Sequence, residues 1–159
     1  MRRKEREVTD PARIEEIIRR CTCCRVGFYD GEEVYLVPLN FGHLKEGEVY
    51  TLYFHGAKEG RKAGLIRSRP KVGFEMDTGS AVYTHGAPDV ACTYTSRFQS
   101  VIGSGVMSMV SDVEEKKLGL SLVMAQSTGK RDWEFDEKML NAVAVFKLEV
   151  AKLSCKEHL

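Results

Sequence analysis

Two adjacent cations open the stretch of this chain with the most evident chemical potential. Arg61 and Lys62 follow Gly60 and begin a short helical pattern, Arg61 to Arg69, that Pro70 stops. Free N–H groups, the helix dipole and the side-chain charges point the same way at such a start, so it can seat a phosphate. Just before it, an apolar strand from Val49 to Phe54 runs into the corner His55-Gly56-Ala57. Earlier still, Val34 to Phe41 reads as one strand, apolar on both faces apart from Asn40 and interrupted by Pro38. Proline has no N–H to donate and belongs at an edge or a bulge, where backbone groups stay free to meet a ligand.

Other reactive side chains carry less. Cys21, Cys23, Cys24, Cys92 and Cys155 are an odd number in a chain without an export signal, so they are expected as reduced thiols. The C-x-C-C cluster lacks the C-x-x-C spacing of zinc knuckles and has no second ligand pair at a recognisable distance, which favours buried apolar cysteine over metal or redox use. His43, His85 and His158 read as solvated. Spacing supports no Ser-His-Asp or paired-carboxylate arrangement, and no G-x-G-x-x-G follows a strand, so hydrolysis and Rossmann-type dinucleotide binding have no support.

The elements that must position these residues follow from pattern. Residues 1 to 8 are charged and expected to fray; a helix over 9–21 starts at Asp10 and Pro11, with Ile14, Ile17, Ile18 and Cys21 on one stripe. Arg25 to Tyr29 reads as a strand, Asp30-Gly31 as a hairpin turn, and Lys45-Glu46-Gly47 as the turn into the next strand. Val72, Phe74 and Met76 alternate with charged or small residues, the period of a strand with one buried face. Asp77 to Asp89 has little periodicity and reads as a loop. Ala91 to Val110 is β-rich, with Gly103 and Gly105 marking a bend or a close approach. Ser111-Asp112-Val113-Glu114 matches a capping box, and the following helix puts Leu118, Leu122 and Ala125 on one face. A short helix over Asp136 to Ala142 and a last strand around Phe146, Leu148 and Val150 complete the order.

Strands joined mostly by hairpins, with helices outside, fit an antiparallel barrel better than a βαβ sheet. A chain of 159 residues that is 43% hydrophobic suits one domain with one core. A net charge of +1 argues against collecting nucleic acid, and Arg2-Arg3-Lys4 and Arg19-Arg20 read as solvated surface. No apolar run is long enough to span a bilayer, so no membrane partner and a cytoplasmic location are expected.

The pattern P-L-N-F at 38–41, Y-F-H-G-A at 53–57, G-R-K at 60–62 and F-Q-S-V-I-G at 98–103 resembles the split-barrel flavoproteins related to pyridoxamine 5'-phosphate oxidase, and within them the nitroimidazole-resistance branch. The likeness runs from Pro11 to Ser154. It implies a mainly β fold with α, an antiparallel six-stranded split β-barrel with peripheral helices, paired as a homodimer with flavin mononucleotide (FMN) at the interface. FAD, a deazaflavin or haem are the other cofactors considered.

By this resemblance Pro38, Leu39, Asn40 and Phe41 line the flavin with main-chain atoms, and Tyr53, Phe54 and His55 continue the slot. On pattern alone these aromatics read as barrel core. Lys62 is the first choice for the phosphate, with Arg61 or Lys130 in support. Gln99, Ser100 and Val101 match a flavin-contacting segment, although many relatives carry Arg where this chain has Gln99, which removes one expected phosphate or dimer contact. Thr128-Gly129-Lys130 matches a further family pattern, and Trp133 either covers the ring or fills a core or interface. In the branch, the histidine matching His55 stands on the substrate side, where an imidazole can give a proton to a nitro group or other small aromatic acceptor; a structural role at the Gly56 corner is the other reading. The implied activity is an FMN-dependent oxidoreductase, with a non-catalytic flavin- or haem-binding store or sensor as the alternative.

Overall fold

A computed structural model describes residues 3–159. Of the segment expected to fray, residues 1 and 2 lie outside the described residues. The rest forms a 3-10 turn at Lys4–Arg6 and a short strand, β1 (Glu7–Val8), that pairs with the last strand. Helix α1 (Pro11–Arg20) starts as its sequence predicts: Asp10 accepts the N–H of Ala12 at 3.1 Å and Pro11 takes the first helical position.

Next come β2 (Cys24–Tyr29) and β3 (Val34–Leu39), joined by a turn in which the Asp30 carboxylate accepts the N–H groups of Glu32 and Glu33. Then follow β4 (Phe41–Glu46), β5 (Val49–Gly56) and α2 (Arg61–Ser68). The long strands β6 (Lys71–Thr84) and β7 (Tyr94–Met109) form a hairpin. Helices α3 (Val113–Thr128) and α4 (Glu137–Ala142) precede β8 (Ala144–His158).

All pairings are antiparallel, in the order β3-β2-β6-β7-β8-β5-β4, with β1 beside β8. Strands β3 and β4 stand at opposite ends of that path, yet only Asn40 separates them in the chain. One residue spans less than 4 Å or so, so the sheet has to curl until its edges meet at Asn40. Among the described residues the result is a split barrel of eight strands whose ladder is not a closed ring. The count exceeds the expected six because the run from Val34 breaks at Asn40 into two strands, and because β1 pairs.

Phe28, Phe41, Phe54 and Phe146 fill the interior with Leu52, Met76, Met107 and Leu148, all fully buried. Helix α1 closes one end with Ile17, Ile18 and Cys21, and α2 closes the other with Leu65 and Ile66. The inward parity of β8 changes at a register shift beside Ser104 and Gly105, so Phe146 and Leu148 point in before it and Leu153 and Cys155 after it. At Gly105 a Cβ would collide with the carbonyl of Glu149, which is the close approach its sequence position predicts.

Further expectations differ from the structure. Residues 77–84, read as loop, continue β6 as far as Thr84 in a ribbon with β7, past a bulge at Gly79 (φ +68°). The strand leaves β2 behind after Glu75, and beyond Met76 its side chains are mostly exposed on both faces, so no period-2 pattern was there to read. Helix α3 is capped by Asp112, which accepts the N–H of Glu115 at 2.8 Å, rather than by Ser111. It buries Gly119 and Val123 against β4, β5 and β8, while Leu118 is exposed. Apolar residues surround this helix from Leu118 to Ala125, so periodicity could not select its inner face.

Candidate functional site

Strand β5 sends Tyr53 outward under α3, Phe54 into the core, and His55 outward again, beyond the cover of the helix. His55 therefore stands exposed at one wall of a cleft of about 340 Å³, between the α3 residues Leu120, Val123 and Met124 and the segment from Trp133 through α4. That volume is at the small end of the range for ligand sites, ~300–1,000 Å³. Met139, Leu140 and Val143 make the far wall apolar, and Glu134 and Asp136 stand at the rim. Asp136 is already engaged as the cap of α4, accepting the N–H groups of Lys138 and Met139.

Trp133 and Lys130 act as a unit. The indole N–H donates to the carbonyl of Lys130 at 2.8 Å, and the Lys130 ammonium lies 4.5 Å from the ring centroid. With its N–H satisfied locally, the indole has its apolar ring left to line the cleft.

Lys62 folds back from the first turn of α2 to the end of β5. Its Nζ stands 5.1 Å from the centroid of Phe146, and a Cβ on Gly56 would come within 2.7 Å of it, so glycine at 56 makes the room. Among the described residues it has no ion pair and no hydrogen bond, and desolvation alone lowers its pKa. The lysine and the histidine thus meet at one strand end, on its two faces.

Arg61 is placed differently. It turns to the β2–β3 hairpin, bonds Asp30 and Glu33 at 2.5 Å each, and stacks on Tyr35 with its carbon 4.5 Å from the ring centroid. The backbone N–H groups of Glu33 and Glu32, with Arg61, hold the Asp30 carboxyl well below the usual carboxylate range. Its charge is neutralised there and does not join that of Lys62.

The other sequence candidates divide into packing groups and a distant set. Phe41 and Phe54 are fully buried in the barrel. Tyr53 is held by Glu115, which accepts its hydroxyl at 3.2 Å and the Lys147 ammonium at 2.8 Å; burial and then Glu115 push its pKa up to about 12. Pro38 is exposed on the edge strand β3, where a missing N–H costs no pairing, Leu39 packs against the core, and Asn40 is the exposed link between strands.

Gln99, Ser100 and Val101 sit at the α1 end. Val101 is core, Ser100 faces outward, and Gln99 is 2% exposed, donating to Glu157 at 3.1 Å while its own oxygen has no partner among the described residues. His55 faces Val145 of β8 and Gln99 faces Glu157, twelve residues further on. At ~3.3 Å per residue that is a contour of roughly 40 Å. A single chain does not bring these two groups together.

The apolar walls from α3 and α4 were not found from sequence. A capped short helix straight after Trp133 and Phe135, carrying Met139 and Leu140, was the available signal. Burial pushes the Cys21 thiol up to about 12 and that of Cys155 to about 11, the chemistry of inert packed thiols. Among the described residues no group of His, Cys, Asp and Glu could hold a metal ion, and no helix is long and apolar enough to cross a membrane.

A family model described as pyridoxamine 5'-phosphate oxidase matches residues 10–157. A solved structure from Bacteroides thetaiotaomicron, described as a candidate 5-nitroimidazole antibiotic resistance protein, is 28% identical over 95% of this chain and 86% of its own, with a TM-score of 0.79. The flavocytochrome Anf3 from Azotobacter vinelandii is 20% identical over 100% of this chain and 72% of its own, with a TM-score of 0.77. An FAD and heme binding protein from Mycobacterium smegmatis is 14% identical over 96% and 73%, with a TM-score of 0.80. The last two share the fold. No curated protein matches the chain.

Proposed function

The chain belongs to the pyridoxamine 5'-phosphate oxidase family, and from that premise we propose that it is a flavin-binding oxidoreductase working as a pair of identical chains. Its likeness to the Bacteroides protein is consistent with the nitroimidazole-resistance branch. The observation that carries this reading is Lys62, a half-buried ammonium with no counter-charge among the described residues, set in space that glycine at 56 leaves free. Such a charge favours the arrival of an anion, and the phosphate of FMN supplies one.

Main-chain atoms of Pro38, Leu39 and Asn40 and the ring of Trp133 are the further groups available to the cofactor. Bound flavin supplies the electron-transfer chemistry. The protein binds the phosphate through Lys62, excludes water with Leu120, Val123 and Leu140, and holds a proton on the His55 imidazole for the oxygen of a small aromatic acceptor, such as a nitroimidazole.

The pairing rests on an uncovered sheet face. Val34 and Leu36 of β3 are 65% and 66% exposed, and beside them on the same outer face stand Tyr29, Ile102 and Val106. Gly27 and Gly73 keep the floor between them flat. A patch of this kind on one face of a sheet fits an isologous contact with a second copy. A two-fold axis across the strands sets the α1 end of one barrel beside the α2 end of the other, so that the Gln99 segment of one chain approaches the Lys62 end of its mate.

The test is the purified protein itself, by absorbance, by mass analysis of the copurified ligand and by mass in solution. A yellow dimer is expected, and Lys62→Ala should weaken FMN binding by about 1.5–3 kcal/mol. Colourless monomer that ignores added FMN would sink the reading.

A second reading rests on the cleft, where His55 stands with Met124 and Met139 among apolar walls. Imidazole and thioether are also haem ligands, so a haem- or flavin-holding store or sensor fits the same lining. A Soret band in the copurified ligand, with no turnover of nicotinamide donors or nitroaromatics, would favour it.

A further inference from the structure

On the other flank of α3 lies a second cleft, of about 300 Å³, lined by Arg19, His43, Leu122, Ala125, Gln126, Gly129 and Arg131. Its chemistry is set by Gln126. The amide nitrogen of that side chain donates to three carbonyls where α1 ends: Ile18 at 2.8 Å, Arg19 at 3.2 Å and Cys21 at 2.8 Å. Only acceptors surround this nitrogen, so the assignment of its amide is fixed and the other end is an oxygen. That oxygen lies 3.2 Å from His43 Nδ1, which therefore carries the proton. In the neutral ring Nε2 is then a bare lone pair, and it has no partner among the described residues.

The charges around this ring are unbalanced. Helix α1 presents Arg19, in an ion pair with Glu15 at 3.3 Å, and Glu15 also lies 3.9 Å from Lys45 of β4. Arg131, in the segment after α3, has no ion pair among the described residues. Burial pushes the His43 pKa down, and Arg19 and Arg131 add to the shift, while the bond to Gln126 and the charge of Glu15 oppose it. The carbonyls of α1, which would repel an anion, are occupied by Gln126. An anion here would meet two guanidinium groups and an imidazole nitrogen able to take a proton.

We propose that this cleft binds a small oxyanion of the phosphate or carboxylate class, held by Arg19 and Arg131 and taken up together with a proton on His43 Nε2. The site is separate from the Lys62 and His55 end of β5 and does not depend on the flavin reading. By linkage, the anion raises the proton affinity of His43 as much as the proton raises affinity for the anion.

Sulfate is the better first probe, because its charge stays constant while His43 titrates. The His43 ring nitrogens are followed by NMR in the full chain, with sulfate and with acetate as separate arms. The expected result is a rise of about one pH unit in the His43 midpoint, and binding about tenfold tighter once the ring is charged. Sulfate alone binding identifies the phosphate class, and acetate alone the carboxylate class. Arg131→Ala, a surface change, should remove the response and leave the fold and flavin content unchanged. His43→Gln, able to keep the bond to Gln126, should bind more weakly and without pH dependence. No response to either anion, or an equal response in Arg131→Ala, overturns the proposal.

Discussion

Helix α3 separates two clefts, and each takes a histidine from one of two adjacent strands. On one flank His43 of β4 is fixed by Gln126 and surrounded by Arg19 and Arg131; on the other His55 of β5 has no hydrogen-bond partner among the described residues and stands among apolar side chains. The same side chain is thus prepared for two tasks. A ring with its tautomer imposed and cations nearby responds to charge, whereas a ring left free in an apolar cleft can turn to whatever is bound there.

Gly42 is the change that should break both flanks at once. A Cβ at this position would run into the main chain of α3 at Leu122 and Val123. Gly42→Val should cost about 3 kcal/mol of stability, read from the urea midpoint, and reduce binding in both clefts, because the helix has to lift off β4. Retention of either cleft would show that the two are not set by one helix.

Only the His55 flank should respond to His55→Ala. The residue is exposed, so the unfolding midpoint should hold while reduction of a nitroaromatic acceptor falls about a hundredfold. An unchanged rate would leave His55 with a structural role. Gln126→Ala should act on the other flank alone. It removes one donor from each of three carbonyls, of which that of Ile18 keeps the N–H of Cys21, and the partner of His43, at a cost of about 2 kcal/mol, with flavin content unaltered.

The smallest expected effect is in pH dependence. The folded state lowers the His43 pKa below its ordinary 6.5. As pH falls below that value the unfolded chain takes up a proton that the folded chain resists, so stability is lost on acidification down to the folded pKa. His43→Gln should flatten this part of the stability profile, and sulfate should partly restore it in the natural chain. A profile identical in both would mean that burial does not perturb this ring.

Much of the scaffold is written locally. Asp10 with Pro11 sets the start of α1, and the alternation of Val72, Phe74 and Met76 marks the buried part of β6. The split at Asn40 is not local, since nothing in a single residue tells that the chain leaves one sheet edge for the other. For the site, the family likeness drew attention to Lys62, His55 and Trp133, which the structure sets around one barrel end. It also drew in Arg61, whose partners Asp30 and Glu33 lie on a distant turn, and Phe41 and Phe54, whose core role was the reading from pattern. The cleft at His43 escaped notice because Gln126 and Arg131 come near it only after α3 is laid across β4.

Strand β8 is the last in sequence, and it pairs with β1, β5 and β7. Synthesis proceeds at about 5–20 residues per second, so for several seconds the nascent chain holds β5 and β7 with one edge bare. The two halves of the sheet cannot join until β8 has left the ribosome. Folding is therefore dominated by long-range closure onto β8, and while β5 and β7 wait for it their unpaired edges are the molecule's greatest exposure to aggregation.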